Sequence, residues 1–354
     1  MLIVKLSAIG DVLHTLPALN ALREHFPDAQ ITWLVEEAAY PLVAGHRALN
    51  RVLLSKRKRW IKDLFGPSRK ETISEIRAFI RDLRDTRYDL IFDFQALLKS
   101  GVLVALARGK RKIGYDKGMA HDEHSYLFLN ERMPPVKMNI HALLRNLMLL
   151  EAVGIYSKEI AYHVPVQDAD RKSIDALLEK QGVKNCRLLI ALNPVAKWET
   201  KIWSEDKFSR LADRLIEEYD VTVIFTGGTE DRESVERIIS GMLSPKKQEK
   251  VLNFAGETSL KMLAALYEKT AFLISTDTGP MHLAAAMGKP VTAIFGPTAP
   301  WRTGPFGSGH QIIRAGLPCS PCFKRQCRTT ACMRQISVPD VLDAVKKMTV
   351  VQKQ

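Results

Sequence analysis

Apolar positions along this chain fall into short unbroken runs that alternate with stretches in which they recur every three or four residues. The runs read as strands and the spaced stretches as helices. In the first half the strands are LIVKL, QITWLVE, RVLLSK, DLIFDFQ and RKIGY, with helical patterns such as TISEIRAFIRDLRD between them. The order restarts near VPVQDADRKSIDALLEKQGVKN, and RLLIALN, VTVIFTGG, KVLNFAG, AFLIST and PVTAIFG follow. Alternation of this kind builds parallel sheets covered by helices on both faces. Two series in tandem predict an α/β chain of two Rossmann-like domains with a cleft between them. Its 354 residues are more than one compact core usually holds. The boundary falls within residues 160–175, giving an N-terminal domain of residues 1–165 and a C-terminal domain of residues 166–354. The last helix, in VPDVLDAVKKM, is open to packing on either.

Charge adds a partner to this picture. Lys and Arg number 52 against 39 Asp and Glu, a net charge of +13, which calls for an anionic partner: nucleic acid, a membrane surface or a phosphorylated substrate. No apolar run approaches the ~20 residues of a transmembrane helix. Lys5 and Asp11 interrupt the first apolar segment and no small-residue cleavage site follows, so a cytoplasmic protein is expected. Four of the five cysteines crowd into CSPCFKRQCRTTAC. Cys319, Cys322, Cys327 and Cys332 supply four thiolates, enough for a tetrahedral structural zinc or iron, and the nearby Lys and Arg favour thiolate. Reduced thiols are the other reading, since the spacing fits no common zinc-finger pattern.

Sites in open parallel sheets lie at the carboxyl ends of strands. Asp11, Gln95, Asn193, Gly227 and Asp277 all follow predicted strands directly. In MLIVKLSAIGDVLHTLPALNAL a strand hands over to a helix at Asp11 and His14. Asp11 reads either as a helix cap or as a base, and His14 as a helix residue or a neighbour of that base. In FLISTDTGPMHLAAAMGKPVTAIFGPT, Pro280 opens a helix that stops at Gly288. The free N–H groups of its first turn form an anion site, to which Thr278 adds a hydroxyl and Gly279 close approach, with His282 one turn in. The loop NPVAKWETKIWSEDKF brings Lys197 and Lys201 to the same strand edge, ahead of a helix starting at Ser204. Glu230 and Asp231, after the Gly-Gly turn of VIFTGGTEDRES, either favour a helix dipole or accept ribose hydroxyls.

Together GDVLHTLPAL, FDFQALLKSG with KIGYD, NPVAKWETKIW, TGGTED and STDTGPMHLAAAMGKPVTAIFGPT resemble the lipopolysaccharide heptosyltransferases, over nearly the whole chain. The resemblance implies the GT-B architecture and inverting transfer of heptose from ADP-heptose, with no metal required for catalysis. It makes Asp11 the general base and Lys201 the group that balances leaving-group charge. Thr278, Gly279 and His282 would hold the pyrophosphate, Asp277 would shape the donor site, and Asp231, with Glu230 beside it, would bind the ribose. Positive charge interleaved with Trp60, Ile61, Leu64 and Phe65 in SKRKRWIKDLFGPSRK suits a lipid surface or an anionic glycolipid. By resemblance to heptosyltransferase I, Arg59, Trp60 and Lys62 would meet the acceptor, Kdo2-lipid A, on the cytoplasmic face of the inner membrane. His141 and Arg145, spaced i and i+4, with Lys99 and Gln95, are further acceptor contacts on the same ground.

The other readings differ in class. Second transfer, onto heptose, is the nearest rival. A non-catalytic nucleotide-sugar-binding protein is opposed by Asp11, and sugar-nucleotide epimerisation by the full motif set. A nucleic-acid-binding protein would show a binding module or a dispersed basic face with stacking aromatics, and neither is present.

Overall fold

Neighbouring apolar runs pair through parallel ladders in the computed structural model, which describes residues 1–119, 123–157, 159–183 and 188–348. The chain divides into two compact units, Met1–Pro165 and Val166–Gln354. The first unit contains β1 (Leu2–Val4), β2 (Thr32–Glu36), β3 (Arg51–Ser55), β4 (Arg87–Asp93), β5 (Arg108–Tyr115) and β6 (Glu131–Met133), in the order β3-β2-β1-β4-β5-β6. The second contains β7 (Leu189–Asn193), β8 (Thr222–Phe225), β9 (Val251–Asn253), β10 (Phe272–Thr276), β11 (Val291–Ile294) and β12 (Gln311–Ile313), in the order β12-β11-β10-β7-β8-β9. Counted within its own unit, each sheet runs 3-2-1-4-5-6, the Rossmann order. The two Rossmann-like sheets expected from the alternation are therefore present. Two strands were not legible, β6 and β12, and Arg187 of the sixth predicted run lies outside the described residues.

The order dictates where loops diverge. β1 pairs with both β2 and β4, and β7 with both β8 and β10. From β1 the chain crosses to one side of the sheet; from β4 it crosses to the other. The loops that leave adjacent carboxyl ends thus separate and open a crevice. Lys5–Asp11 and Asp93–Gln95 lie at this point of the first sheet, and residues 194–201 and 277–282 at that of the second.

Each sheet is clamped by its own core. In the first unit Leu2, Val4 and Leu34 meet Trp60, Phe79, Leu83 and Val104. In the second, Ile190, Phe225 and Ile294 meet Trp203, Phe208, Val341 and Val345. The last helix, Val338–Lys346, packs on the helix Glu205–Tyr219 and on β12, so it belongs to the C-terminal unit. Its start is reciprocally capped: Asp340 N donates to Ser337 Oγ at 3.3 Å, and Ser337 N donates to Asp340 Oδ2 at 2.7 Å.

A strap at residues 161–163 closes the N-terminal unit. Asn20 Nδ2 donates to the Ala161 carbonyl at 2.6 Å, and His46 Nε2 lies 3.2 Å from the Tyr162 carbonyl. The other ring nitrogen of His46 accepts from Ala48 N at 3.1 Å, which leaves Nε2 as the donor. Burial pushes the His46 pKa down from 6.5 to about 4. The unfolded chain takes up this proton near pH 6.5 and the folded chain only near pH 4. Stability from this group is complete above pH 6.5 and lost as the pH falls towards 4. Wild type should lose about 2 kcal/mol relative to His46→Gln between pH 7 and pH 5. Urea unfolding at the two pH values checks this, and an unchanged gap between the two proteins would refute it.

Candidate active site

At the carboxyl end of β1 the chain runs into a buried charge. Lys5 is 7% exposed, and its Nζ donates to the Phe94 carbonyl at 2.8 Å, bridging the ends of β1 and β4. Burial lowers its pKa, while Asp11 and Asp93 hold it up and Arg145 and Lys99 oppose them. Asp93 accepts from Gln95 N at 3.0 Å, Ala96 N at 3.1 Å and Ser100 Oγ at 3.0 Å. Burial still pushes its pKa up to about 6. The turn so fixed presents Gln95 Oε1 to Leu6 N and Ser7 N, each at 3.0 Å. Lys99 Nζ donates to Ser7 Oγ at 2.7 Å.

Asp11 sits on the helix Ile9–Leu13 that this loop feeds. One carboxylate oxygen, Oδ2, accepts from Ala8 N at 3.1 Å, so the helix-cap reading holds for that oxygen. His14 is buried and lies edge-on to His141, ring centroids 4.9 Å apart. Asn146 ties the two elements, donating to the His14 carbonyl at 3.0 Å and to Thr15 Oγ1 at 2.9 Å. His141 caps the helix Ala142–Leu149 through Nδ1, and Arg145 Nη1 approaches Met138 Sδ at 2.9 Å. Asp11, His14, Gln95, Lys99, His141 and Arg145 are thus gathered at one end of the N-terminal unit.

Three of the sequence-based acceptor residues are engaged differently than expected. Gln95 spends its carbonyl oxygen on the Asp11 loop, and Lys99 is shared between Ser7 and Glu36, the latter at 3.3 Å. Trp60 is 7% exposed, packs in the core and donates from Nε1 to Glu75 at 2.9 Å. A ring fixed in this way does not rest on a lipid surface, which corrects the reading from its aromatic–basic spacing. Arg59 pairs with Glu75 and Asp63. Lys62, Ile61 and Phe65 stay exposed, Phe65 at 94%.

The C-terminal unit repeats the logic with opposite charge. β10 delivers Asp277, 6% exposed, whose Oδ2 lies 2.7 Å from Lys201 Nζ and accepts from Thr298 Oγ1 at 2.6 Å. Lys201 also lies over the Trp198 ring, 4.5 Å from its centroid. Thr278 occupies the N-cap of the helix Gly279–Ala286, Pro280 stands in the first turn, and His282 is buried on the second. Lys197 is exposed. Asn193 turns inward and donates to Thr226 O and Oγ1, both at 3.1 Å, a structural tie between β7 and β8. Asp231 Oδ2 accepts from Gly228 N at 2.8 Å, burial raises its pKa, and Glu230 stands exposed beside it. A Cβ at Gly228 would fall 2.6 Å from the Glu230 carboxylate, the end of an exposed side chain that can swing aside.

At the cysteine cluster the structure agrees with the reduced-thiol reading and lends the metal reading no support. Cys319, Cys322, Cys327 and Cys332 are free thiols, and among the described residues no three His, Cys, Asp or Glu side chains are placed to hold a metal ion. Backbone N–H groups of Thr329 and Thr330 lower the pKa of Cys327, while burial raises that of Cys332. The fifth, Cys186, lies outside the described residues.

A cavity of about 940 Å³ opens at the other end of the first sheet, lined by residues that begin or precede strands, such as Met1, Arg51 and Arg87, and by Lys110 early in β5. Arg51 is matched there by Asp85, Lys110 by Asp89 and Arg111 by Glu131. Sequence reasoning missed Lys5, Asp93 and Thr298 as supports. A lysine inside an apolar strand run such as LIVKL was the available signal, because a buried ammonium needs partners.

Comparisons with known proteins agree with this geometry. The sequence profile of glycosyltransferase family 9 (heptosyltransferase) matches residues 76–332. Lipopolysaccharide heptosyltransferase 1 of Pseudomonas aeruginosa is 31% identical over 92% of this chain and 87% of its own length. Its Escherichia coli namesake is 29% identical over 89% of this chain and 93% of its own. The solved structure of E. coli heptosyltransferase WaaC with ADP superposes with a TM-score of 0.78 at 26% identity, covering 98% of both chains.

Asp277 is buried and the Lys201 side chain only 15% exposed, so removing the lysine strands the carboxylate. Lys201→Met should cost about 3–5 kcal/mol of stability, and adding Asp277→Leu should recover most of it. Thermal unfolding of the single and double variants checks this; equal losses in both would show that the pair is not the cause.

Proposed function

This chain belongs to glycosyltransferase family 9 (heptosyltransferase), and from that premise we propose that it transfers L-glycero-D-manno-heptose from ADP-heptose to Kdo of Kdo2-lipid A, with inversion, in building the lipopolysaccharide inner core. The observation that carries this reading is the pair of switch-point clusters. One unit presents a carboxylate on the first helical turn after β1, and the other presents a lysine and a helix N-terminus after β7 and β10. The names of the relatives point to heptose as the sugar and lipopolysaccharide as the product.

In the proposed step an acceptor hydroxyl oxygen bonds to the anomeric carbon as the bond from that carbon to the ADP oxygen breaks. The hydroxyl proton passes to Asp11, and ADP leaves with the bonding pair. A carboxylate suffices as base because the hydroxyl acidifies while bonding to an oxocarbenium-like carbon. Asp11 enters the step with Oδ2 anchored to Ala8 N. Charge developing on the diphosphate meets the amides of the helix Gly279–Ala286, Thr278, His282 and the ammonium of Lys201, which Asp277 holds in place. Asp231, with Glu230 beside it, serves the ribose. His141 and Arg145 face the acceptor, while Gln95 and Lys99 position the Asp11 loop. On this reading the N-terminal unit binds the acceptor and the C-terminal unit the donor.

No helix among the described residues is long and apolar enough to cross a membrane. The acceptor is a lipid, and exposed Phe65 and Ile61 beside Lys62 suit peripheral contact with the anionic cytoplasmic face of the inner membrane. Arg59 contributes charge there, and Trp60 contributes the packing that holds the segment.

Incubated with ADP-heptose and Kdo2-lipid A, wild type should release ADP and add one heptose. Asp11→Asn should lower kcat by about 10²–10⁴-fold and leave ADP affinity within about twofold. Equal turnover by the variant would remove Asp11 as base. A product formed only from an already heptosylated acceptor would move the assignment to second transfer. Phe65→Ser should weaken binding to phosphatidylglycerol vesicles by about tenfold, the cost of leaving a large apolar side chain in water. Unchanged vesicle binding would detach the membrane contact from this segment.

A further inference from the structure

Cations at two places in the chain are neutralised differently. Around the helix Arg57–Asp63 they meet acids: Arg57 and Lys58 meet Glu36, and Arg59 meets Glu75. At the carboxyl edge of the second sheet, Arg302, Arg314 and Arg325 form no ion pair among the described residues. They lie over aromatic rings instead: Arg302 over Phe323 at 4.7 Å, Arg314 over Trp301 at 5.1 Å and Arg325 over Trp198 at 4.9 Å. The Nε of both Arg302 and Arg314 is buried with no hydrogen-bond partner among the described residues. Arg314 Nη2 reaches Ser320, 3.1 Å from its carbonyl and 3.3 Å from its hydroxyl.

The backbone holds these groups beside the Lys201–Asp277 pair. Cys322 N and Phe323 N both donate to the Pro297 carbonyl, at 2.9 and 2.8 Å, one residue before the Thr298 that bonds Asp277. Phe295 N donates to the Ile313 carbonyl at 2.9 Å, which sets Arg314 next to the start of the same loop. Thr200 Oγ1 donates to the Lys324 carbonyl at 2.9 Å, so Arg325 and Lys201 share the Trp198 ring. The cysteine-bearing segment therefore carries side chains to this edge.

A guanidinium stacked on a ring keeps its N–H edge open for a carboxylate or phosphate, which it grips with two parallel hydrogen bonds. Leaving Arg302 and Arg314 half-buried without an acid costs stability in the empty protein, and an arriving anion restores it. We infer that Arg302, Arg314 and Arg325 form an anion-binding subsite adjoining the Lys201–Asp277 pair, which takes a phosphate or carboxylate group of a substrate. The inference rests on the proposed function only for the choice of substrates. Two sources supply that chemistry, the donor's diphosphate and the anionic groups of the acceptor.

Calorimetric titration of the full chain with ADP, and separately with O-deacylated Kdo2-lipid A, separates them. Arg302→Gln and Arg325→Gln should each weaken one of the two by about tenfold, and Arg302→Lys should recover part of the loss. Weaker ADP binding assigns the subsite to the donor, and weaker glycan binding assigns it to the acceptor. Arg325 is exposed, so its variant remains a fair test if Arg302→Gln folds poorly. Unchanged affinity for both ligands in a variant with wild-type thermal unfolding overturns the inference, as does wild type that binds neither. Turnover by wild type tests heptosyl transfer separately, so a failed transfer reading and a failed subsite give different results.

Discussion

The reversal of strand order between β1 and β4, and again between β7 and β10, is the constraint on which the rest depends. Adjacent parallel strands whose crossovers lie on opposite faces cannot share a loop, so their carboxyl ends stay uncovered. Polar side chains there have no helix above them and must find partners within the opening itself. Lys5 does so by bonding the carbonyl beyond β4, and Asp277 by meeting a lysine delivered from β7. The same topology, used twice, thus creates two openings with opposite demands.

Burial then decides which charges are structural and which remain available for chemistry. Asp93 is fully enclosed, satisfied by three hydrogen bonds and pushed towards neutrality, so it serves as a girder. Asp11 is half-buried and anchored by one oxygen. The cap and base readings of Asp11 are therefore compatible: a cap fixes the orientation of a carboxylate that has a second oxygen to use. Glu36 plays the complementary part, gathering Arg57, Lys58 and Lys99 and removing part of their net charge.

Most of the fold was legible because its signals are local. Ten strands announce themselves as apolar runs bounded by turns, and the position of Asp277 before a proline-opened helix can be read from spacing alone. β6 and β12 are three-residue edge strands, ERM and QII, too short for a period to show. Trp60 was misread because interleaving with cations says nothing about which side of a helix meets the core; Phe79, at 5.2 Å, settles that. Gln95 was placed correctly at a strand end but assigned to substrate, since only three dimensions reveal two backbone N–H groups 89 and 88 residues away in sequence. The four cysteines drew a metal reading from count and spacing, which do not carry the angular information a coordination site needs.

The segment after β12 shows what such a reading omits. Between Arg314 and the helix Ala331–Arg334 it has no regular secondary structure, yet two carbonyls and a hydroxyl from two separate loops hold it. A segment without internal ladders must satisfy its backbone against neighbours, and here the neighbours are the loops that bear Lys201 and Thr298. Its conformation is consequently tied to the opening at the carboxyl edge of the second sheet. Sequence presents it as a run of cysteines and cations; its contacts make it a second wall of that opening, with aromatic rings in place of acids to hold the cations. Acids in those positions would have stabilised the unit at the cost of its positive field at that edge.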